Sequence, residues 1–135
     1  MKQVVFVMML GLMLVQSTMG QKKLEIVVSD LISDNGKVKL ELRNNLDSVV
    51  RSFDLTIEHK VSRVKLDLLP LGTYFINYFH DANNNKKFDT NFLGIPQEGY
   101  GFSNNPEAKF GPPPMEKLLF KVGSDTTIVL KTYYW

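Results

Sequence analysis

The chain has 135 residues, 16 basic against 14 acidic side chains, and no cysteine. That length suits one domain, and so small a charge excess gives no reason to expect nucleic acid or an acidic membrane surface as partner. Without cysteine, zinc–thiolate sites, disulfides, redox motifs and cysteine nucleophiles are excluded.

Residues 1–20 read as a Sec signal peptide. Lys2 supplies the positive start, Val4 to Val15 is almost wholly apolar, and Thr18 and Gly20 place small residues before Gln21. The apolar run is short for a transmembrane helix, so cleavage near Gly20–Gln21 is expected, with no membrane insertion afterwards. An uncleaved anchor is the alternative. No cysteine stands near the cleavage point, so a lipoprotein anchor is not expected. The predicted location is the periplasm or the cell exterior, where a domain lacking disulfides depends on its core.

The predicted domain spans residues 21–135. Leu24, Ile26 and Val28 alternate with Glu25, Val27 and Ser29, the period of a half-buried strand over Leu24–Leu31. Ser33–Gly36 contains Asn-Gly, which accepts positive φ, and so predicts a turn. Val38–Leu42 alternates in the same way, and the two segments are expected to form a hairpin. Residues 43–52 are polar and predict a loop. Phe53, Leu55 and Ile57 mark the next strand, with His59 placed at its end. Val64, Leu66 and Leu68 mark another, with all three expected inward. Pro70–Gly72 predicts a turn. Tyr74–Phe79 is apolar on both faces except at Asn77, which predicts a central strand. Leu118–Val122 and Thr126–Leu130 follow, and Tyr133–Trp135 is expected to cover an apolar edge. No ten-residue window outside the signal shows a helical period. The fold class predicted is all-β: one antiparallel sandwich of about seven strands, transthyretin-like or immunoglobulin-like, with one long capping loop.

That loop, His80 to Pro114, is unlike the rest of the chain. Structureless segments of such length are uncommon in compact domains and usually functional. Its aromatic and aliphatic residues, Phe88, Phe92, Leu93, Ile95, Tyr100, Phe102 and Phe110, predict packing over one end of the sandwich rather than disorder. Gly111-Pro112-Pro113-Pro114 predicts a stiff extended connector.

Asp81, Asn83, Asn85 and Asp89 stand at odd spacing, and with the Lys87 carbonyl they match the first nine positions of an EF-hand-type calcium loop. Two positions depart from the pattern. The sixth, usually Gly, is Lys86, and the twelfth, usually a bidentate Glu, is Phe92. Two carboxylates beside two lysines predict weak affinity. The competing reading is an Asn-rich turn in which these side chains bond nearby amides. In either case the four side chains are expected to turn toward one centre.

His80, Tyr100, Phe102 and Asn104 are candidate ligand-binding residues, with the GYGF segment as a stacking platform for a sugar or another flat ligand. The competing reading is that the aromatics close the core. A catalytic role is not assigned. His80 and Asp81 are neighbours, and adjacent strand residues point to opposite faces. Ser103 lies in no G-x-S-x-G elbow, and no spacing supports Asp89 and Glu98 as an acid–base pair. No phosphate loop, HExxH or dinucleotide fingerprint occurs.

The segments LGTY from Leu71, HDANNNKKFDTN from His80, FLGIP from Phe92, EGYGFSN from Glu98 and FGPP from Phe110 resemble the bacterial domain of unknown function 2141 family. The resemblance spans essentially the whole mature chain. It implies an exported β-sandwich similar to transthyretin-like and carboxypeptidase-regulatory-like domains, and it implies no activity. The family pattern usually carries an acidic residue at Ala82 and Gly at Lys86, and both departures weaken the calcium reading. The functional expectation is therefore an exported, non-enzymatic binding or structural module. Its predicted partner is a small molecule, glycan or envelope protein, and calcium is the only cofactor considered. The alternative is a small periplasmic hydrolase or isomerase using His80.

Overall fold

A computed structural model describes residues 22–135. Residues 1–20, read above as a signal peptide, and the expected cleavage point lie outside the described residues. Eight strands run in order: β1 Lys22–Ser29, β2 Lys37–Asn44, β3 Val49–Leu55, β4 Ser62–Leu69, β5 Gly72–Asp81, β6 Tyr100–Phe102, β7 Phe120–Val122 and β8 Thr126–Lys131. A single 3-10 turn, Met115–Lys117, precedes β7. No described helix is long and apolar enough to cross a membrane.

Two sheets face each other. The first has three strands in the order β4-β1-β8, and the second has five, β3-β2-β5-β6 with β7 also on β5. The sandwich is thus mostly antiparallel, with β1 and β8 running parallel. The expected alternation holds where it matters most. Leu24, Ile26, Val28, Val38, Leu40, Leu42, Ile76 and Leu130 are at most 1% exposed and form the core between the sheets. Strand β5 is central, as its two apolar faces predict: β2 pairs along one side, and β6 and β7 share the other.

Several local expectations are corrected. The β1 and β2 segments do not form a hairpin. Each buries one alternating face, and that requirement is met equally well by putting them in opposite sheets. The polar 43–52 segment is mostly strand, because β2 and β3 continue through it to a tight turn closed by the Asn44 side chain. His59 sits in a turn at φ 52, not on a strand, and the Asp34 carboxylate holds the His59 and Lys60 amides there. Leu68 is 67% exposed, and Leu69 takes the inward place at 3%. The cause is a bulge: Lys22 pairs with Leu69 but Leu24 pairs with Leu66, so two steps on β1 face three on β4. Leu68 absorbs the extra residue at φ 61.

A leucine in the left-handed region costs roughly 1–2 kcal/mol, against roughly 0.5–1 kcal/mol of chain entropy for glycine. Leu68→Gly is therefore expected to raise stability by about 0.5–1 kcal/mol. Urea unfolding of the two proteins would read the difference, and a loss of stability would refute this account of the bulge.

Candidate functional site

The cap grows out of the end of β5. His80 and Asp81 are consecutive strand residues, so their side chains leave on opposite faces. His80 goes inward and is 1% exposed. Its Nδ1 lies 2.9 Å from the Tyr134 hydroxyl and its Nε2 2.7 Å from the Asn35 carbonyl, so both ring nitrogens are engaged. Asp81 goes outward, under the loop, and is fully buried.

The odd-spaced side chains do turn together. Asp81 Oδ1 accepts the Asn85 amide at 3.1 Å, and Oδ2 accepts the Lys86 amide at 2.9 Å. Asn83 Oδ1 accepts the Asn85 amide and Asn85 Oδ1 the Lys87 amide, two successive Asx turns. The Nδ2 groups of Asn83 and Asn85 donate to the Asp89 carboxylate at 2.7–2.8 Å. These bonds, Asn83 first, hold the Asp89 carboxyl below the usual carboxylate range. Lys86 takes φ 65, the conformation for which the calcium-loop pattern reserves Gly at position six. The centre of the loop is spanned by amide N–H groups. Accordingly, among the described residues no three His, Cys, Asp or Glu side chains stand in a ready cation cage.

A residue that spacing alone passed over belongs to this cluster. Residues 90–96 form a short excursion closed by Asn91, whose side chain accepts the Leu93 and Ile95 amides. The excursion folds back on itself, and the Gln97 amide donates to the Asp89 carbonyl at 2.8 Å. That return brings Glu98 beside Asp89, whose amide donates to Glu98 Oε2 at 3.1 Å. Glu98 is 7% exposed, and its Oε1 is buried with no hydrogen-bond partner. Burial pushes its carboxyl pKa up, and the nearby charges of Asp89 and Asp81 push it further, against the pull of the Asp89 and Ala82 amides. The sequence signal for it was slight: an acid just before a Gly-aromatic strand.

The four ligand-binding candidates separate. Tyr100 and Phe102 lie on the outer face of the five-stranded sheet. Directly paired residues share a face, so Lys39, Phe79 and Tyr100 form one row, and Glu41, Asn77 and Phe102 the next. Phe88 of the cap stands over them, 5.5 Å from Phe79 and 5.9 Å from Tyr100 between ring centroids. These rows floor an open groove of about 460 Å³, and the Asn77 Oδ1 in its floor has no hydrogen-bond partner. His80 does not reach the groove. Asn104 is also elsewhere, donating to the Lys117 and Leu119 carbonyls.

Ser103 and Asn105 complete a polar stitch with Asn104. Ser103 is fully buried, accepts the Ile76 amide at 2.9 Å and donates to the Leu118 carbonyl at 2.6 Å. It closes the gap between β6 and β7 on the edge of β5. Asn105 ties this end to β8 through the Lys131 amide and the Val129 carbonyl. The expected packing of the apolar cap residues holds for Tyr100 and Phe88 and is corrected for three others. Phe92 is 95% exposed, Phe110 98% and Leu93 68%. The Asn91 turn and the Pro-rich connector fix these positions by backbone geometry and leave the side chains no core to enter. Tyr134 of the tail does cover the sheet end, packing on Gly99, whereas Trp135 stays largely exposed beside Phe110.

Residues 26–129 match the family described as "Uncharacterized protein conserved in bacteria (DUF2141)". The chain belongs to that family, and the two-sheet all-β fold is the frame on which it carries the cap. No match was found among curated proteins or among solved structures.

The orphaned Glu98 oxygen generates a test. An acid whose folded pKa is raised binds its proton more tightly folded than unfolded, so stability is lost as pH rises through that folded pKa. Replacing Glu98 with Gln removes the penalty. In metal-free buffer at pH 7, Glu98→Gln is expected to be more stable by about 1–3 kcal/mol, the usual cost of an unpaired buried group. The advantage should fade below pH 4, where the acid is neutral in both states. Thermal melts at the two pH values would read it, and equal stability at pH 7 would count against the burial of a charged Glu98.

Proposed function

We propose that this protein is an exported, non-enzymatic binding module whose cap loop is a calcium-stabilised wall for the outer-face groove. The observation that supports it best is the convergence of Asp81, Asn83, Asn85 and Asp89 at the odd spacing of a calcium loop. Calcium takes six to eight hard oxygens, and these side chains with the Lys87 carbonyl are of that kind. A site so lightly charged suits the affinities of extracellular modules, on the order of 10⁻⁴–10⁻³ M, which fill outside the cytosol. That range agrees with the leader-like residues 1–20.

The groove offers aromatic faces at Phe79, Phe88 and Phe102, with the buried Tyr100 beneath them, beside Lys39 and Glu41. An apolar face next to a few polar groups suits a sugar ring or a similar flat ligand. The non-catalytic reading is supported by His80. A general base needs reach to a substrate proton, and both nitrogens of this buried ring are occupied by Tyr134 and Asn35. A second reading draws on the exposed Phe92, Leu93 and Phe110. Apolar side chains standing clear of a small domain suit a protein partner in the envelope.

Thermal melting with calcium tests the main proposal. A ligand bound only by the folded state stabilises it by about 1.4 kcal/mol at tenfold its dissociation constant, or about 5 °C for a domain of this size. Asp81→Ala and Asp89→Ala are each expected to abolish the rise. No rise in the unsubstituted protein at millimolar calcium would falsify the calcium reading. Export is checked by intact mass of periplasmic or secreted protein, expected to begin at Gln21. Residues 1–20 retained in a membrane fraction would overturn it.

A further inference from the structure

We infer that the ligand of this domain is an amphiphile of the glycolipid type, with its sugar head in the outer-face groove and its hydrocarbon tail in a second, apolar groove that adjoins it. This rests on the reading of the outer-face groove as a sugar site and names the class of molecule that carries the sugar. The second groove has a volume of about 900 Å³. Leu93, Ile95 and Pro96 line it from the 90–96 excursion, Phe110 and Pro112 from the proline-rich connector, and Trp135 from the chain end. Phe88, Tyr100 and Phe102 line both grooves, so the two meet along these rings. The rings themselves are in contact, with centroids 5.9 Å apart for Phe88 and Tyr100 and 6.3 Å for Tyr100 and Phe102.

The two linings suit different chemistry. In the outer-face groove, Lys39, Glu41, Ser52 and Asp54 stand beside the aromatic floor. They are donors and acceptors of the kind that sugar hydroxyls need. In the second groove the contributing segments carry no charge: residues 91–97 read NFLGIPQ and residues 110–115 read FGPPPM. Lys109 is the only charged side chain lining it among the described residues, and it is paired with Glu107 at 3.5 Å. A polar, aromatic groove joined to an apolar one matches a ligand that is polar at one end and apolar at the other.

The apolar groove is preformed and uncovered. Phe110 is 98% exposed, Leu93 68% and Trp135 58%. The Asn91 side chain fixes the excursion through the Leu93 and Ile95 amides, and consecutive prolines stiffen the connector. The chain thus keeps a contiguous apolar surface in water at a fixed shape, the mark of a binding site. A hydrocarbon tail needs only the apolar contact that these walls provide. A protein-docking patch has a polar rim around its apolar centre, whereas here the walls stay uncharged out to Phe92 and Phe110, the most exposed side chains of the cap.

Trp135 is the only tryptophan of the chain, and it reports directly on the apolar groove. The test is titration of the exported protein, in calcium-containing buffer, with octyl β-glucoside, methyl β-glucoside and 1-octanol, each below the concentration at which it self-assembles. Octyl glucoside is expected to shift the Trp135 emission to shorter wavelength. Calorimetry should show it binding at least about tenfold more tightly than methyl glucoside, since each methylene taken from water strengthens binding about fourfold. Phe110→Asp changes a side chain that stands outside the core, and it is expected to weaken octyl glucoside severalfold without altering methyl glucoside. Equal affinity for octyl and methyl glucoside would overturn the tail groove and leave the sugar reading standing. Equal affinity for 1-octanol and octyl glucoside would overturn the sugar head and with it the amphiphile. No binding of any of the three would overturn both readings. An unchanged octyl glucoside affinity in Phe110→Asp would put the tail elsewhere and overturn the assignment of the groove.

Discussion

The buried Asp81 carboxylate is the constraint on which the cap depends. It is the last residue of the central strand, still paired with Lys37 of β2, and it is fully buried where the chain leaves the sheet. Its two oxygens take the Asn85 and Lys86 amides, and this bends the chain back over the end of β5. A carboxylate accepting backbone N–H groups makes stronger bonds than a neutral acceptor. The bend in turn sets Lys86 in the left-handed region and aligns Asn83, Asn85 and Asp89. Even the opposite turn is fitted to it: a Cβ at Gly36 would overlap the Asp81 carbonyl, so the β1–β2 connection must be glycine where it passes this residue.

The alternation of β5 lets one short segment serve two faces. Tyr74, Ile76, Tyr78 and His80 point into the sandwich. Asn77, Phe79 and Asp81 point out, the first two into the groove floor and Asp81 to the root of the cap. His80 and Asp81 are thus adjacent in sequence and opposite in role. Read as a pair they suggest proton chemistry; placed on a strand they are separated by the sheet. His80 spends its polarity fixing Tyr134 and the Asn35 turn, a buried network whose members are all satisfied.

What could be read from the sequence was what a period of two encodes. The core of β1, β2 and β5 follows from alternation, because one face of each must be dry. Which strands pair does not follow from it, since β1 and β2 bury the same kind of face wherever they sit. The β4 bulge is invisible for a related reason: VKLDLL continues the alternation through Leu68, and only the partner strand imposes the extra residue. In the cap, odd spacing and short oxygen side chains made the cluster legible, because Asx turns are local. Glu98 was not, because a fold-back seven residues wide supplies it and spacing rules count along the chain.

The SNN stretch shows why a conspicuous motif need not be a ligand site. Each of Ser103, Asn104 and Asn105 bonds backbone from another segment: Ile76 and Leu118, Lys117 and Leu119, Val129 and Lys131. Beta6 and β7 are three residues each and lie end to end along β5, so neither could hold its register alone. Side chains that carry both donor and acceptor groups substitute for the ladder bonds these short strands lack. In a domain without disulfides, that stitch fixes the lower edge of the cap, and the Asp81 bend fixes the upper. The aromatic rows between them lie on the outer face of the sheet, where Tyr100 is covered by the cap while Phe79 and Phe102 stay half-buried.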